Sequence, residues 1–520
     1  MTERTRKFLK NGITLSLAAL LMRTVSVSFG AYVTNVVGAE GMGLYSLILS
    51  LYTLGVTFAT SGVQLATTRL VAEADARGDL GGARAALRTA TRYALLFGCL
   101  ASLVLFSGAS FFGERLLGDV RTVPALRLLS LALVPVALSS VFSGYFTAVR
   151  RPSRSAAVSL IEQAVRIVLT VLFLSSLMPR GITYACLALV GGSAIAEIFS
   201  ALSHGLLYFL DSRRLRRAKR GKPPLAALLH ITLPTAAASY VRSGLVSAEH
   251  MLIPRALTGG GASREEALGA YGTLSGMSLP IVLYPMAVLS AFAGLLVPEF
   301  AEGMAKSDAS GNRRLAERAL TYTLWFSLAA GGILAAFAVP LANAVYGYRE
   351  AGYYLALLSP IIPIMYLDHV VDMMLKGLGR QVYAMGVNVI DSLGSILLVL
   401  LLLPRFGAVG YVYVILLAEV FNFSMSLSGL YAALPLRFPF LRGVLLPLAA
   451  LLPSVTVCHR LFGCESILSL IGAVVSSLLL YLFLLGALTL LFEKKVSKKQ
   501  KNAPSSLDKL AVFGYNRRSK

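Results

Sequence analysis

The chain has 520 residues, 56% of them hydrophobic and only 14% charged, and its mean hydropathy is +0.73. Soluble domains carry about 25% charged residues, so the composition excludes a soluble globular fold and indicates an all-α integral membrane protein. The formal net charge of +23 brings nucleic-acid binding into question, and where the basic residues fall decides against it.

The chain opens on "RTRKFLK" (4–10) and a long apolar run. The pattern mimics a signal peptide, but the run is too long for one and reads as an uncleaved first span. A bilayer-spanning helix needs about 20 apolar residues. Fourteen such runs follow one another, at about 8–36, 43–68, 90–112, 122–148, 155–178, 182–210, 226–254, 270–298, 319–346, 353–376, 382–404, 407–434, 441–461 and 466–492. With a cytoplasmic N-terminus, 36 of the 48 Lys and Arg fall in internal segments, 7 in external loops and 5 within or at the ends of spans. This is the positive-inside pattern, and it accounts for the basic charge without nucleic acid. Both termini are thereby expected in the cytoplasm of a multi-pass cell-membrane protein. The densest basic run, "RRLRRAKRGK" (213–222), also suits anionic phospholipid headgroups.

The four cysteines, Cys99, Cys186, Cys458 and Cys464, have no metal-ligand spacing, although Cys458 and Cys464 fall close enough near the outer face to pair. No external loop exceeds about 20 residues, which leaves little room for the catalytic loop of a membrane polymerase or ligase. There is no G-x-x-x-x-G-K-[ST], H-E-x-x-H or G-x-S-x-G. ATP hydrolysis by this chain is therefore not expected, nor a bound cofactor; any transport would be secondary, driven by an ion gradient (Na⁺ or H⁺) or by the membrane potential.

The sequence repeats itself. Residues 72–93 align without gaps on residues 301–322 at an offset of 229, with 8 of 22 positions identical, among them Glu73/Glu302, Asp79/Asp308 and Tyr93/Tyr322. The same offset pairs Arg151 with Arg380 and Glu162 with Asp391, and "AEIF" (196–199) matches "AEVF" (418–421). Each copy holds six spans, so the halves are expected to be parallel repeats with the substrate path at their interface. The divisions are an N-lobe 1–215, a basic linker 216–225, a C-lobe 226–436, two extra spans in 437–492 and a basic tail 493–520. Asp79 and Asp308 are placed to N-cap a short basic helix at the inner surface.

Polar residues inside the spans are the functional candidates. Arg23 interrupts the first span, and Arg242 aligns with it at an offset of 219, which also sets Val27-Ser28 on Val246-Ser247. A membrane-centre arginine costs roughly 2.5–3.5 kcal/mol on insertion scales. Two of them facing one cleft would form a cationic pocket suited to phosphate oxygens; the structural alternative is an ion pair with Glu197, Glu249 or Glu419. Arg69 and Glu249 are further substrate-binding candidates. Glu162 and Arg166 are spaced as a helical pair. Asp391 has Ser395 where Arg166 would stand, and with Asn388 on the same face it offers oxygen ligands for a coupling ion. Asp368, His369 and Asp372 form a gate candidate, with Asp372 and Lys376 spaced to pair, and Glu249-His250 allows a proton-dependent contact.

"GAEGMGLYSLILSLYTLGVTFATSGVQLATTRLVAEADARGD" (38–79) and "LKGLGRQVYAMGVNVIDSLGSILLVLLLLPRFGAVGYVYV" (375–414) resemble the stage V sporulation protein B and polysaccharide-exporter group. That group belongs to the superfamily of lipid II flippases and multidrug-and-toxin extruders, and the similarity runs over about residues 5–435. The resemblance implies a V-shaped pair of six-helix lobes alternating between inward-open and outward-open forms. It also implies a lipid-linked anionic saccharide as substrate, cavity arginines matching Arg23 and Arg242, and cell-envelope synthesis proteins as partners. Relatives commonly carry proline and lysine where this chain has Gln64 and Arg69, so gating detail does not transfer. The competing functions are a cation-coupled multidrug antiporter, a membrane polymerase or ligase, and a structural sporulation protein.

Overall fold

The computed structural model describes residues 3–60, 62–212, 221, 224–436, 441–462 and 466–501. The described residues are helical almost throughout and contain no strand. Hydrocarbon offers backbone groups no water, so a spanning segment must satisfy its own hydrogen bonds, and the α-helix does this within one segment. Ten helical segments are long and apolar enough to cross a membrane, or eleven if the bent pair Val120–Ser130 and Leu133–Ala148 counts as one span. Two of the ten, Ala19–Ala76 and Gln381–Ala433, each cover two of the expected apolar runs. The first turns at Gly38 (φ 73°) and the second at Gly407 (φ 59°), a backbone conformation that costs glycine little. Beyond Gly407 the chain reverses, and Gly410 packs on the Leu402 carbonyl.

Helix boundaries depart from the apolar runs where polar turns extend a helix. Asp79 accepts from Gly82 N–H and Asp308 from Gly311 N–H, both at 2.8 Å, so both aspartates are N-caps. They cap no short surface helix, however, but the 28-residue helices Leu80–Ser107 and Ala309–Ala336. Each helix continues from its cap through a basic second turn, at Arg84 and at Arg313, directly into its span. The backbone also recurs at the offset of 229. Gly78 (φ 69°) and Ser307 (φ 55°) precede the two caps, and Arg150 (φ 57°) and Gly379 (φ 76°) end the helices before Arg151 and Arg380.

The buried core is a network of small and branched residues that draws on both halves of the chain, with a second cluster confined to 293–434. Outward faces are apolar instead: Leu202 is 69% exposed, Val382 77% and Leu468 84%. In water such a surface would aggregate; in lipid it costs nothing. The basic run 213–222, apart from Gly221, and Cys464 lie outside the described residues; Cys458 is free and buried.

The charge distribution makes a topology prediction. In a variant lacking the native cysteines, Glu265→Cys should react with a membrane-impermeant maleimide from outside intact cells, and Ala309→Cys only after permeabilisation. Equal reactivity of both in intact cells would reject the orientation.

Candidate functional site

A polar cavity of about 710 Å³ lies between the part of the first helix beyond Gly38 and the helix Leu225–Gly259. Its first wall is a stripe of hydroxyls, Ser46, Ser50, Thr53, Thr57 and Thr60. Their alternating spacing of four and three keeps them on one helix face. The facing wall carries Ser239, Arg242, Ser243, Ser247 and His250, and Tyr271 and Ser275 close one side. The helices touch across this space: Ser247 Oγ donates to the Ser50 carbonyl at 2.9 Å, and Tyr240 stacks on Phe58 and donates to its carbonyl at 3.1 Å. His250 Nδ1 and the Tyr271 hydroxyl lie 2.7 Å apart.

A second cavity of about 260 Å³ adjoins the first and shares Ser46, Leu49 and Ser275 with it. Arg23 lines it. Arg23 Nη2 donates to the Pro280 carbonyl at 3.4 Å, while its Nε is buried without a partner. Thr24, next in the chain, lies 2.8 Å from the Tyr284 hydroxyl. Neither Arg23 nor Arg242 has an acidic partner among the described residues, and neither pairs with Glu197, Glu249 or Glu419. Ser275 belongs to the π-helical turn Thr273–Ser278, the wall common to both cavities. Beyond it, an apolar cavity of about 420 Å³ runs from Leu20 and Val27, which flank Arg23 in the sequence, to Val474 and Leu478.

The remaining candidates separate. Arg69 is exposed and bound to Glu73 at 2.8 Å on its own helix, away from both cavities. Glu249 lines neither cavity; its carboxylate is near enough to that of Asp391 for the two to repel. Arg166 bridges Glu162 at 2.6 Å and Glu197 at 3.1 Å, so in the first half of the chain one cation serves both of these acids. The second half has Ser395 in place of that arginine, and its acids Glu249, Asp368, Asp391 and Glu419 act on one another. Asp391 Oδ1 and Asp368 Oδ1 are buried without partners, and Asn422 Nδ2 donates to Asp368 Oδ2 at 3.3 Å. Asn388 turns its amide onto the Ala384 carbonyl at 2.8 Å. Among the described residues, no three His, Cys, Asp or Glu side chains are placed to hold a metal ion. The gate candidates also divide: Asp372 pairs with Lys376 at 2.6 Å, Asp368 faces the acid group, and His369 Nε2 is buried without a partner.

Sequence reasoning missed two features. One is the hydroxyl stripe, which is readable in "YSLILSLYTLGVTFAT" from its spacing alone. The other is a charge cluster at the end of the cavities nearest Gly43. There Arg264 Nη2 donates to the Leu117 carbonyl at 2.6 Å and Arg264 Nε lies 3.7 Å from Asp119. Arg121 bonds both Asp119 (2.8 Å) and Glu40 (2.7 Å). Burial pushes the Asp119 carboxyl up, but hydrogen bonds and charge from Arg121, with the charge of Arg264, hold it below the ordinary carboxylate value. Beside this cluster, Gly43 and Gly272 let two backbones meet: a Cβ on Gly43 would lie 2.0 Å from the Leu268 carbonyl oxygen. Spacings within single helices carried the first candidates, whereas this cluster joins three distant segments, at Glu40, at 117–121 and at Arg264.

The polysaccharide biosynthesis protein family profile matches residues 8–304, more than half of the chain. This chain belongs to that family. Among its relatives, stage V sporulation protein B of Bacillus subtilis (strain 168) is 24% identical over 494 residues, covering 92% of this chain and 95% of that protein. Lipid II flippase MurJ of the same organism is 26% identical over 348 residues, 61% of each chain. The fold is that of solved transporters. An inward closed structure of lipid II flippase MurJ superposes with a TM-score of 0.70 at 14% identity, covering 92% of this chain and 99% of that one. An inward-facing multidrug resistance MATE family transporter of the MOP superfamily gives 0.66 at 14% identity, covering 81% and 97%. The protein is thus a multi-pass membrane protein of the flippase and transporter fold.

The Gly43-end cluster predicts a measurable closure. With Ser243→Cys as a reporter in the cavity, Arg264→Ala should raise its labelling by an impermeant thiol reagent from outside several-fold. Asp119 titrates below the usual carboxylate range, so the contact is kept above that range and lost only as pH falls through the depressed value. Acidification to about pH 5 should therefore leave labelling of the parent unchanged. No effect of Arg264→Ala would show that the cluster does not hold the cavity shut.

Proposed function

We propose that this protein flips an isoprenoid-pyrophosphate-linked oligosaccharide or cell-wall precursor across the cytoplasmic membrane by alternating access. In this reading the chain crosses the membrane fourteen times, with both termini inside, and its two six-helix lobes enclose the cavities. The carrying observation is the pair Arg23 and Arg242, two cations on adjoining cavity walls with no acidic partner among the described residues. An uncompensated cation in an apolar protein is costly, and a bound anion supplies the compensation. Guanidinium forks suit phosphate oxygens. The apolar cavity starting at Leu20 and Val27 offers the isoprenoid chain a place beside Arg23. A multidrug antiporter for cations fits less well, since no Asp or Glu lines either polar cavity among the described residues.

Coupling would fall to the acid group of the second half. Asn388, Asp391 and the nearby carboxylates Glu249, Asp368 and Glu419 present oxygen atoms without a built-in cation, which suits Na⁺ or a proton. Asp372, paired with Lys376, acts at the cytoplasmic end of its helix as a gate contact.

The test is binding and flipping in proteoliposomes with a fluorescent polyprenyl-pyrophosphate saccharide. A hydrogen bond to a charged group contributes about 1.5–3 kcal/mol, so Arg23→Ala and Arg242→Ala should each weaken binding by roughly ten- to a hundredfold. Arg23→Lys should fall between wild type and Arg23→Ala. If Arg23→Ala instead fails to accumulate in the membrane, the arginine is structural and the pocket assignment is wrong. For coupling, Asp391→Asn should remove the dependence of flipping on an imposed Na⁺ or H⁺ gradient while preserving substrate binding; retained dependence would reject Asp391.

A further inference from the structure

The hydroxyl stripe is too regular and too long to be explained by a pyrophosphate alone. From Ser46 to Thr60 it extends about 21 Å at 1.5 Å per residue. Serine and threonine in membrane helices ordinarily satisfy themselves by bonding the carbonyl four residues back, and part of the stripe does so. Thr53 donates to Leu49 at 2.8 Å and Thr60 to Val56 at 2.7 Å. Such a hydroxyl has spent its hydrogen, and its oxygen lone pairs remain as acceptors. Ser50 Oγ is buried with no partner, and Ser46, Ser239 and Ser243 have no hydrogen-bond partner among the described residues. The cavity therefore presents two facing rows of neutral donors and acceptors, held together across its width by Ser247 and Tyr240.

The charges are as informative as the hydroxyls. Among the described lining residues of the two polar cavities, Arg23, Arg242 and His250 are the ionisable groups besides tyrosines; there is no Asp, Glu or Lys. An ammonium group carried into this space would find no counter-ion. A carboxylate would compete with the pyrophosphate for the same two arginines. A chain of uncharged sugars suffers neither penalty, since each hydroxyl it loses from water finds a neutral partner on the wall.

Resting on the flippase reading above, we infer that the Ser46–Thr60 stripe and the facing Ser239–Ser243 row form a track for an uncharged glycan longer than one sugar. The preferred headgroup is thus a neutral oligosaccharide on pyrophosphate, and one bearing a charged peptide is disfavoured. Arg23 and Arg242 hold the phosphate end, and the stripe holds the sugars.

The experiment uses the full chain in proteoliposomes with three lipids: polyprenyl pyrophosphate alone, the same lipid with a neutral tetrasaccharide, and the same lipid with a disaccharide carrying a charged peptide. The variant Ser50→Ala/Thr53→Val/Ser239→Ala removes three hydroxyls of the first cavity, none of them lining the Arg23 cavity, at nearly constant shape. A neutral hydrogen bond contributes roughly a two- to tenfold effect. The variant should therefore lower flipping of the tetrasaccharide lipid at least tenfold while leaving the bare pyrophosphate within twofold of wild type. Wild type should also move the tetrasaccharide lipid at least tenfold faster than the peptide-bearing one. Equal losses on the bare and glycan-bearing lipids, no loss on either, or equal rates for neutral and peptide-bearing headgroups would each overturn the track while leaving the pyrophosphate reading in place. Failure of wild type to move or bind any pyrophosphate lipid would overturn both. Wild-type accumulation and unchanged handling of the bare lipid show that the triple variant is folded.

Discussion

A polar seam through an apolar protein governs this structure. Each helix satisfies its own backbone, and the outward leucines and valines need nothing from the lipid beyond contact. Polar side chains that face one another are the costly part, and two facing rows of them lie on the helix carrying Ser46–Thr60 and the helix carrying Ser239–His250. Their hydroxyls and arginines cannot be turned to lipid cheaply, so the two must face inward toward each other. The remaining helices pack around that requirement.

Charge is handled differently in the two halves of the chain. In the first, Arg166 sits between Glu162 and Glu197, so both acids have a cation within ion-pair distance. In the second, replacement of that arginine by Ser395 leaves Asp391 and Glu419 without a cation, and Asp368 and Glu249 join them. A self-neutralised polar group fixes helix contacts, whereas an uncompensated one changes its energy when an ion or proton arrives.

Closure at the Gly43 end combines two kinds of contact. Gly43 and Gly272 bring backbones so close that no side chain fits, which suits a tight but apolar and therefore reversible seal. Arg264, Asp119, Arg121 and Glu40 add charge pairing at the rim. Arg121, Asp119 and Glu40 bond one another within the first half, whereas both contacts of Arg264, to Asp119 and to the Leu117 carbonyl, cross to that half and are lost when the halves separate.

The sequence by itself determined the class of fold, the repeat and the pairs internal to a helix. Apolar length, the basic bias of alternate loops, the offset of 229, the caps Asp79 and Asp308, and the pairs Glu162–Arg166 and Asp372–Lys376 all depend on spacing along one chain. Arg23 and Arg242 were legible as candidates because charge in an apolar run is conspicuous. Only the tertiary structure decided that they line adjoining cavities, that Arg69 is spent on Glu73, and that Glu249 turns to the acids rather than the cavity. It also showed that Asp79 and Asp308 cap spanning helices. The physical reason is common to these cases. Helical periodicity tells which residues share a face, but which face meets which neighbour is set by packing between segments far apart in the chain.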